Sequence, residues 1–291
     1  MDVGFETLNG QQFTVRRWGD PALPPLLMLH GFPEYGGAWA VIAERLCHRF
    51  HCIAPDQRGY GASYAPPEVR DYALQHLVAD VAALVRDRPA VVLGHDWGAS
   101  VAYGLAMFRP ECVARLIVVN GVHPVPFQRA LAAGGAQSAA SQYINLLRRD
   151  NAHTRLEADD FARMLQLFSS QMDMQWLRGA ALAAQKAVWQ QSGARGMVHW
   201  YRASPLVVAA PGVPCAMPQM PLDRLHVRCP HLLIWGERDT ALLPEATRGL
   251  EEFAPETQRI SVADADHWIC HQHPDRVARE VLAWCGSDPV G

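Results

Sequence analysis

The segment Ala90-Val91-Val92-Leu93-Gly94-His95-Asp96-Trp97-Gly98 decides the fold of this 291-residue chain. Its first four residues form a short apolar run, which is typical of a buried strand, and the residues from Trp97 onward predict a helix. The glycines that flank Asp96 permit a sharp turn from the strand into the helix. Such a turn presents the Asp96 carboxylate at the carboxyl edge of a sheet, beside a helix N-terminus that stabilises negative charge. If Asp96 served only to cap that helix, the flanking glycines would have no explanation.

Strand and helix patterns alternate on both sides of this segment. A hairpin is predicted from residues 4–8 and 11–18, which Asn9-Gly10 joins. Short apolar runs predict further strands at residues 26–29, 51–54, 90–93, 116–119, 231–235 and 259–262. Helices are predicted at residues 38–47, 74–85, 97–108 and 275–284. This alternation argues for a mostly parallel sheet that helices cover on both faces.

The strand signal disappears between residues 124 and 223. Helical patterns occur there at residues 141–149, 159–168 and 177–190. Residues 203–222 carry no charge but contain five prolines, which predicts a loop and excludes a membrane-spanning helix. We therefore expect an α/β core formed by residues 1–123 and 224–291. Residues 124–223, which we call the cap, are expected to be a helical insertion with a proline-rich return loop.

Composition narrows the classes of function. The chain has 26 Lys and Arg against 29 Asp and Glu, with a formal net charge of −3, which does not favour binding to nucleic acid or an anionic membrane. The first residues, MDVGFETL, lack the features of a signal peptide. Seven scattered cysteines without a CxxC pair favour a reducing compartment. We expect a cytoplasmic monomer or homodimer whose partners are neither nucleic acid nor membrane.

The turn at Asp96 and the order of strands and helices resemble the α/β-hydrolase family, and the resemblance covers almost the whole chain. It implies an α/β-hydrolase fold, with a mostly parallel eight-stranded sheet flanked by helices and an inserted helical cap. In that family the residue at the turn is the nucleophile. An aspartate is a poor acyl nucleophile, but it can open an sp³ carbon that carries a good leaving group. The product is an ester on Asp96, which water must then hydrolyse.

The family order of nucleophile, acid and base continues downstream. Asp239 ends the sequence WGERD after a predicted strand and matches the acid, although Asp264 or Glu237 could replace it. His267 follows the last predicted strand and matches the catalytic histidine. The resemblance implies that His267 activates the hydrolytic water while Asp239 orients and stabilises its imidazole.

The loop His30-Gly31-Phe32-Pro33-Glu34 resembles the oxyanion loop of the same family. The resemblance implies that the backbone N–H groups of Phe32 and Trp97 stabilise the oxyanion that forms on the Asp96 carboxyl group. The side chains of Phe32, Trp97 and Trp39 are expected to line an apolar substrate pocket. Glu34 is expected either to hold a water or a loop behind the site, or to be a surface carboxylate.

Haloalkane dehalogenases, haloacetate dehalogenases and epoxide hydrolases share an aspartate at this turn. Dehalogenases commonly carry their acid where this chain has Asn120, and haloacetate enzymes place arginines just after the nucleophile, where Trp97 and Ser100 stand. The sequence MVHWYRA around Tyr201 resembles the second cap-tyrosine motif of epoxide hydrolases, and Tyr143 lies near the place of the first. The resemblance implies that both phenols donate to the epoxide oxygen.

The favoured function is therefore an epoxide hydrolase that uses water to convert an uncharged, apolar epoxide into a vicinal diol, without a cofactor. A dehalogenase on the same scaffold is the alternative, and a catalytically silent binding module is a third hypothesis. No metal is expected, because His271 and His273 have no third cluster of ligands nearby in the sequence.

Overall fold

The computed structural model describes residues 1–85, 88–169 and 172–286. Its described part contains one eight-stranded sheet in the order β1-β2-β4-β3-β5-β6-β7-β8. The strands are β1 (Asp2–Leu8), β2 (Gln11–Trp18), β3 (Pro25–Leu29), β4 (His51–Pro55), β5 (Ala90–His95), β6 (Val113–Val119), β7 (His231–Gly236) and β8 (Thr257–Val262). Strand β2 runs antiparallel to β1 and β4, and the other neighbours are parallel. The predicted mostly parallel eight-stranded sheet is thus confirmed.

Helices connect and cover these strands. They are α1 (Ala40–Leu46), α2 (Leu74–Leu84), α3 (Trp97–Phe108), α4 (Pro124–Ala132), α5 (Ala136–Ala140), α6 (Gln142–Leu147), α7 (Ala152–Ser169), α8 (Gly179–Ser192), α9 (Arg195–Ala203), α10 (Ile269–Gln272) and α11 (Pro274–Cys285). The helix predicted at residues 38–47 begins as a 3-10 turn at Gly36–Trp39 and continues as α1 from Ala40. Four helices were not predicted from the sequence pattern: α4, α5, α9 and α10. Within the described residues, no helix is both long and apolar enough to cross a membrane.

The sheet separates two hydrophobic layers. Strand β3 shows this arrangement, because Leu27 and Leu29 pack in the layer that contains α2 and α3, whereas Leu26 and Met28 pack in the layer that contains α1 and α11. Alternate residues of a strand point to opposite faces. The continuous apolar runs predicted as buried strands therefore reflect a sheet that is covered on both sides.

The cap helices α4–α9 lie in the chain between β6 and β7, and the described residues between those strands add no strand to the sheet. Buried apolar side chains of α4 and of α6–α9, such as Phe127 and Trp189, belong to the same hydrophobic cluster as those of α2 and α3. Two buried indoles also bond to loops of the core: Trp189 donates to the Pro33 carbonyl at 2.8 Å and Trp200 to the Arg58 carbonyl at 2.9 Å. The cap is therefore packed onto the core, although its boundaries at residues 124 and 223 stay predictions.

Helix α3 approaches β3 very closely at Gly98. A Cβ atom at this position would lie 2.0 Å from the Leu29 carbonyl oxygen and 2.5 Å from the His30 carbonyl oxygen. Both neighbours are backbone atoms of the sheet edge, so they cannot move aside as a flexible side chain could. Glycine at position 98 is thus required by the contact between the first turn of α3 and the end of β3.

Replacement of this glycine should destabilise the whole fold. We expect Gly98→Ala to lower the free energy of unfolding by about 1–3 kcal/mol or more, because the added methyl group overlaps the β3 backbone. Gly4→Ala is the matched control, since a Cβ atom at Gly4 would meet no atom within 4 Å. Urea denaturation measures both. Equal unfolding midpoints for the two variants would contradict the close approach of α3 to β3.

Candidate active site

Five neighbouring parallel strands each lead into a residue of one polar cluster at the carboxyl edge of the sheet. Phe32 follows β3, Asp96 follows β5, Asn120 follows β6, Asp239 follows β7 and His267 follows β8. The carboxyl ends of parallel strands form one edge of a sheet, where ligands bind in open α/β folds. The sheet order therefore brings together residues that are more than 230 positions apart in the sequence.

Asp96 lies at the sharp turn between β5 and α3. Its backbone has φ 50° and ψ −121°, a conformation that is rare for a residue with a side chain. The Asp96 Oδ1 atom accepts a hydrogen bond of 2.8 Å from the Phe32 N–H group. The loop of Phe32 can come this close because residue 31 is a glycine. A Cβ atom on Gly31 would lie only 2.4 Å from the Asp96 Cβ atom. The N–H group of Trp97, in the first turn of α3, stays a prediction as the second oxyanion donor.

His267 lies between two carboxylates. Its Nδ1 atom is 2.7 Å from Asp239 Oδ2, and its Nε2 atom is 3.5 Å from Asp96 Oδ2. An ionised Asp239 can only accept, so Nδ1 carries the proton of this bond. The other two candidates for the acid do not face His267, because Glu237 is exposed and Asp264 is near His273 at 3.7 Å.

Asn120 holds Asp239 in place. Its side-chain amide donates to Asp239 Oδ2 at 2.7 Å, and its amide oxygen accepts from the Gly236 N–H group at 2.7 Å. Asp239 Oδ1 accepts from the N–H groups of Ala241 and Leu242 at 2.8 and 2.9 Å. In the sequence, Asn120 argued only against a dehalogenase, because an asparagine cannot act as the ionised acid. Its supporting contact was missed, because no local pattern links residue 120 to residue 239.

The pKa values of His267 and Asp239 are shifted by their opposite charges. Burial alone would lower the pKa of His267, but the carboxylates of Asp239 and Asp96 outweigh it and raise that pKa well above the ordinary value of 6.5. Burial would raise the pKa of Asp239, but the imidazolium and the hydrogen bonds lower it below the ordinary 3.8. A raised histidine pKa stabilises the fold fully below about pH 6.5 and loses that effect as the pH rises through the raised value.

A buried ionic cluster lies behind His267. His95 contacts Glu34 Oε2 through Nδ1 at 3.1 Å and the His267 carbonyl oxygen through Nε2 at 2.8 Å. His95 therefore bridges the Glu34 side chain and the backbone of His267. His271 also contacts Glu34. Glu34 is only 3% exposed, so the alternative prediction that it is a surface carboxylate is wrong. Burial would raise its pKa, but His271 and His95 lower it.

Two cavities meet at Asp96. The first, of about 300 Å³, extends along α3 past Ser100 to Phe108, and we call it the α3 cavity. The second, of about 320 Å³, is lined by His267 and Met172 among others, and we call it the His267 cavity. The residues that line both are Asp96, Tyr143 and Tyr201. Among the described residues that line either cavity, none is a lysine, arginine or glutamate.

The position of Trp39 is a correction. This side chain is 2% exposed and packs with Trp18 and Leu46 in the layer that contains α1 and α11. That layer lies on the opposite face of the sheet from α3, and Trp39 lines neither of the two cavities at Asp96. The prediction that Trp39 lines the substrate pocket is therefore wrong. Of the other two predicted residues, Phe32 lines the His267 cavity and Trp97 lines the α3 cavity, and their contact with a substrate stays a prediction.

The two cap tyrosines, Tyr143 and Tyr201, line both cavities together with Asp96. Tyr143 lies on α6 and Tyr201 on α9, and their ring centroids are 6.2 Å apart. Tyr201 packs edge-on against Phe32 at 5.2 Å and Trp97 at 5.1 Å. Burial raises the pKa of both phenols, and the charge of Asp96 raises it further. Both hydroxyl groups are therefore protonated at neutral pH and can donate a hydrogen bond.

Arg148 joins the two tyrosine helices. It follows α6, and its guanidinium donates to the carbonyl oxygens of Tyr201, Ser204 and Leu206 at 2.9, 3.0 and 2.8 Å. These carbonyl groups lie at the C-terminal end of α9, where a helix leaves acceptors unsatisfied. Arg148 therefore fixes the end of α9 relative to α6. No sequence pattern indicated this contact of Arg148, because its partners are backbone atoms more than 50 residues away.

Known proteins are similar to this chain over most of its length. A family model described as alpha/beta hydrolase fold matches residues 24–274. "AB hydrolase superfamily protein YfhM" of Bacillus subtilis is 30% identical over 286 residues, which cover 96% of each chain. "Epoxide hydrolase 4" of Mus musculus is 28% identical over 280 residues, which cover 92% of this chain and 75% of the mouse protein.

Two solved structures are also similar. One is described as "Novel epoxide hydrolases belonging to the alpha/beta hydrolases superfamily in metagenomes from hot environments", with a TM-score of 0.89, 31% identity and 99% of each chain covered. The other is an epoxide hydrolase of Bacillus megaterium in complex with an inhibitor, with a TM-score of 0.86 and 25% identity. It covers 97% of this chain and 99% of that chain.

The charges around His267 give a prediction that needs no substrate. We expect Asp96→Asn and Asp239→Asn each to lower the pKa of His267, because each removes a negative charge that stabilises the imidazolium. The imidazole signals in an NMR pH titration measure this shift. Asp264→Asn is the control and should leave the pKa unchanged, because the Asp264 side chain is 66% exposed and faces His273. A His267 pKa unaffected by Asp96→Asn would contradict the coupling.

Proposed function

Because this chain belongs to the alpha/beta hydrolase fold family, we propose that it is an epoxide hydrolase that converts an uncharged, apolar epoxide into a vicinal diol. One observation carries the proposal: a carboxylate, Asp96, lies where two cavities meet beneath two protonated phenols, Tyr143 and Tyr201. A nucleophile on one side and two proton donors on the other are what the opening of an epoxide ring requires.

In the first step Asp96 opens the ring. Its Oδ1 atom is bonded to the Phe32 N–H group, so Oδ2 is the oxygen that attacks a ring carbon. The bond between that carbon and the epoxide oxygen breaks, and the oxygen takes a proton from Tyr143 or Tyr201. The product is a hydroxyalkyl ester on Asp96, and the phenolate regains its proton from solvent as the cycle closes.

In the second step His267 activates water. The imidazole removes a proton while the water oxygen attacks the Asp96 carboxyl carbon, and the N–H groups of Phe32 and Trp97 stabilise the oxyanion. The bond to the alkyl oxygen then breaks as that oxygen takes the proton from the imidazolium, and the diol leaves. The second proton of the water passes from the Asp96 carboxyl group to solvent, which restores the carboxylate and balances the proton that the phenolate takes up. Esterification has already removed the charge of Asp96, one of the charges that raise the His267 pKa. The imidazole is thereby more easily neutral at the step where it must act as a base.

The cavities support an uncharged substrate. No described lining residue is a lysine or arginine that could pair with a substrate carboxylate. The α3 cavity is lined mainly by apolar side chains, such as Val122, Phe127 and Met220. Because the two cavities meet at Asp96, an epoxide between Asp96 and the tyrosines can place an apolar substituent on either side. We propose that residues 124–223 act as the cap that supplies both tyrosines.

A substrate panel tests this function. Diol formation is measured by chromatography with styrene oxide, aliphatic epoxides and trans-disubstituted epoxides, and halide release with haloalkanes and haloacetate. We expect diol from apolar epoxides and none with Asp96→Asn. Halide release without diol would instead support the dehalogenase hypothesis. Ligand binding that persists in Asp96→Asn, without any turnover of the wild-type protein, would support a silent binding module.

The tyrosines give a quantitative prediction. The double variant Tyr143→Phe/Tyr201→Phe should lose about 10²–10⁴-fold in kcat/KM for an epoxide, the usual contribution of general acid catalysis. Each single variant should lose less, because the other phenol still donates. Tyr64→Phe is the matched control, since Tyr64 lines neither cavity. A double variant as active as the wild type would contradict a role for these phenols in ring opening.

A further inference from the structure

Asp266, the residue before His267, bonds to two different parts of the molecule. It is 6% exposed. Its Oδ1 atom accepts a hydrogen bond of 2.8 Å from the N–H group of Trp268, and its Oδ2 atom accepts one of 2.8 Å from the N–H group of Asp173 in the cap. Hydrogen bonds to an ionised carboxylate are stronger than those between neutral groups. The two oxygens of this buried carboxylate thus accept hydrogen bonds from two different loops, one that contains Trp268 and one that contains Asp173.

The first bond encloses His267 in a turn. A side-chain oxygen of one residue that accepts from the N–H group two positions later forms an Asx-turn, and His267 is the central residue of this one. Its carbonyl oxygen also accepts from His95 Nε2 at 2.8 Å. The backbone of His267 is therefore held by two hydrogen bonds, one that closes the turn around it and one to its carbonyl oxygen. This arrangement fixes the direction in which the imidazole reaches toward Asp96.

The second bond reaches the wall of the His267 cavity. Asp173 follows Met172, which lines that cavity together with His267 and Trp268. The same cap loop continues to Trp176, whose ring stacks on His271 at 3.7 Å with an interplanar angle of 3°. The loop of residues 172–176 is therefore attached to the segment that carries His267, and the Oδ2 atom of Asp266 makes one of these attachments.

We propose that Asp266 is a positioning residue with two separable roles: Oδ1 orients His267 for ester hydrolysis, and Oδ2 holds residues 172–176 as a wall of the His267 cavity. The inference rests on the proposed epoxide hydrolase function. Ring opening uses Asp96 and the tyrosines but not His267, so loss of the first role slows only the second step. Loss of the second role weakens the binding of substrates that fill the His267 cavity.

The variants Asp266→Ala and Asp266→Ser differ by one oxygen atom, and comparing them separates the role of Oδ1 from that of Oδ2. Asp266→Ala removes both bonds. Asp266→Ser keeps an oxygen that can accept from the Trp268 N–H group, as serine does in similar turns, but it is too short to bond Asp173 as well. Trp176→Leu loosens the same cap loop without changing Asp266. Asp264→Ser is the control, because the Asp264 side chain is 66% exposed.

Intact-protein mass spectrometry after rapid mixing with excess epoxide measures the fraction of enzyme that carries the ester. We expect Asp266→Ala to hydrolyse the ester about tenfold more slowly, the effect of one lost hydrogen bond to a charged group, with ester accumulation and an unchanged rate of alkylation. Asp266→Ser should hydrolyse the ester close to the wild-type rate. Equal slowing of both steps in Asp266→Ala, or equal ester accumulation in the serine and alanine variants, would overturn the first role.

Steady-state kinetics tests the second role. The ratio of KM for a trans-disubstituted epoxide to KM for a terminal epoxide should rise about threefold or more in Asp266→Ser, Asp266→Ala and Trp176→Leu, as expected for the loss of a modest contact. The ratio should not rise in Asp264→Ser. An unchanged ratio in Asp266→Ser and Trp176→Leu, both checked for folding by their unfolding midpoints, would overturn this role.

A further variant distinguishes failure of this inference from failure of the proposed function. His267→Gln should trap the ester, because it lacks the base for hydrolysis. If His267→Gln gains no mass from any epoxide, the proposed function fails and the inference fails with it. If His267→Gln traps the ester but Asp266→Ala does not accumulate it, only the inference about Asp266 fails.

Discussion

The hydrogen bond from the Phe32 N–H group to Asp96 Oδ1, at 2.8 Å, is the contact around which the site is arranged. It joins the loops that follow two neighbouring strands, β3 and β5. This contact depends on the close packing of the strand ends, because neither Gly31 nor Gly98 has room for a Cβ atom. With one oxygen of Asp96 held in this way, the other faces His267 and the cavities. The same N–H group that orients the carboxylate at rest can stabilise charge on it during hydrolysis.

The cap helices α6 and α9 carry Tyr143 and Tyr201, the proposed proton donors, and hydrogen bonds attach the cap to the core. Trp189 and Trp200 are buried and donate to backbone carbonyls of the core, and Arg148 fixes the end of α9. The helices that carry Tyr143 and Tyr201 are therefore held in place by hydrogen bonds as well as by apolar contacts. A donor placed in advance needs little reorganisation at the moment of reaction, which is how preorganised groups lower a barrier.

Local patterns predicted the strands of the sheet, and the resemblance to the α/β-hydrolase family supplied the order of Asp96, Asp239 and His267. Each of these residues follows a predicted strand, and the parallel sheet brings such strand ends together. The contacts of Arg148 and Asn120 could not be predicted, because their bonds cross more than 50 and more than 110 positions without any periodic signal. Trp39 was misplaced because its position in the chain, close to the oxyanion loop, does not reveal which face of the sheet it covers.

In the proposed mechanism Asp96 forms and loses an ester in each cycle. The most direct test is turnover in ¹⁸O water, followed by mass analysis of the peptide that contains Asp96. We expect the first diol to carry an oxygen from the Asp96 carboxyl group, and ¹⁸O to enter this carboxyl group as cycles accumulate. An unlabelled Asp96 after many turnovers, with ¹⁸O in the diol from the first cycle, would show direct attack by water and contradict the account.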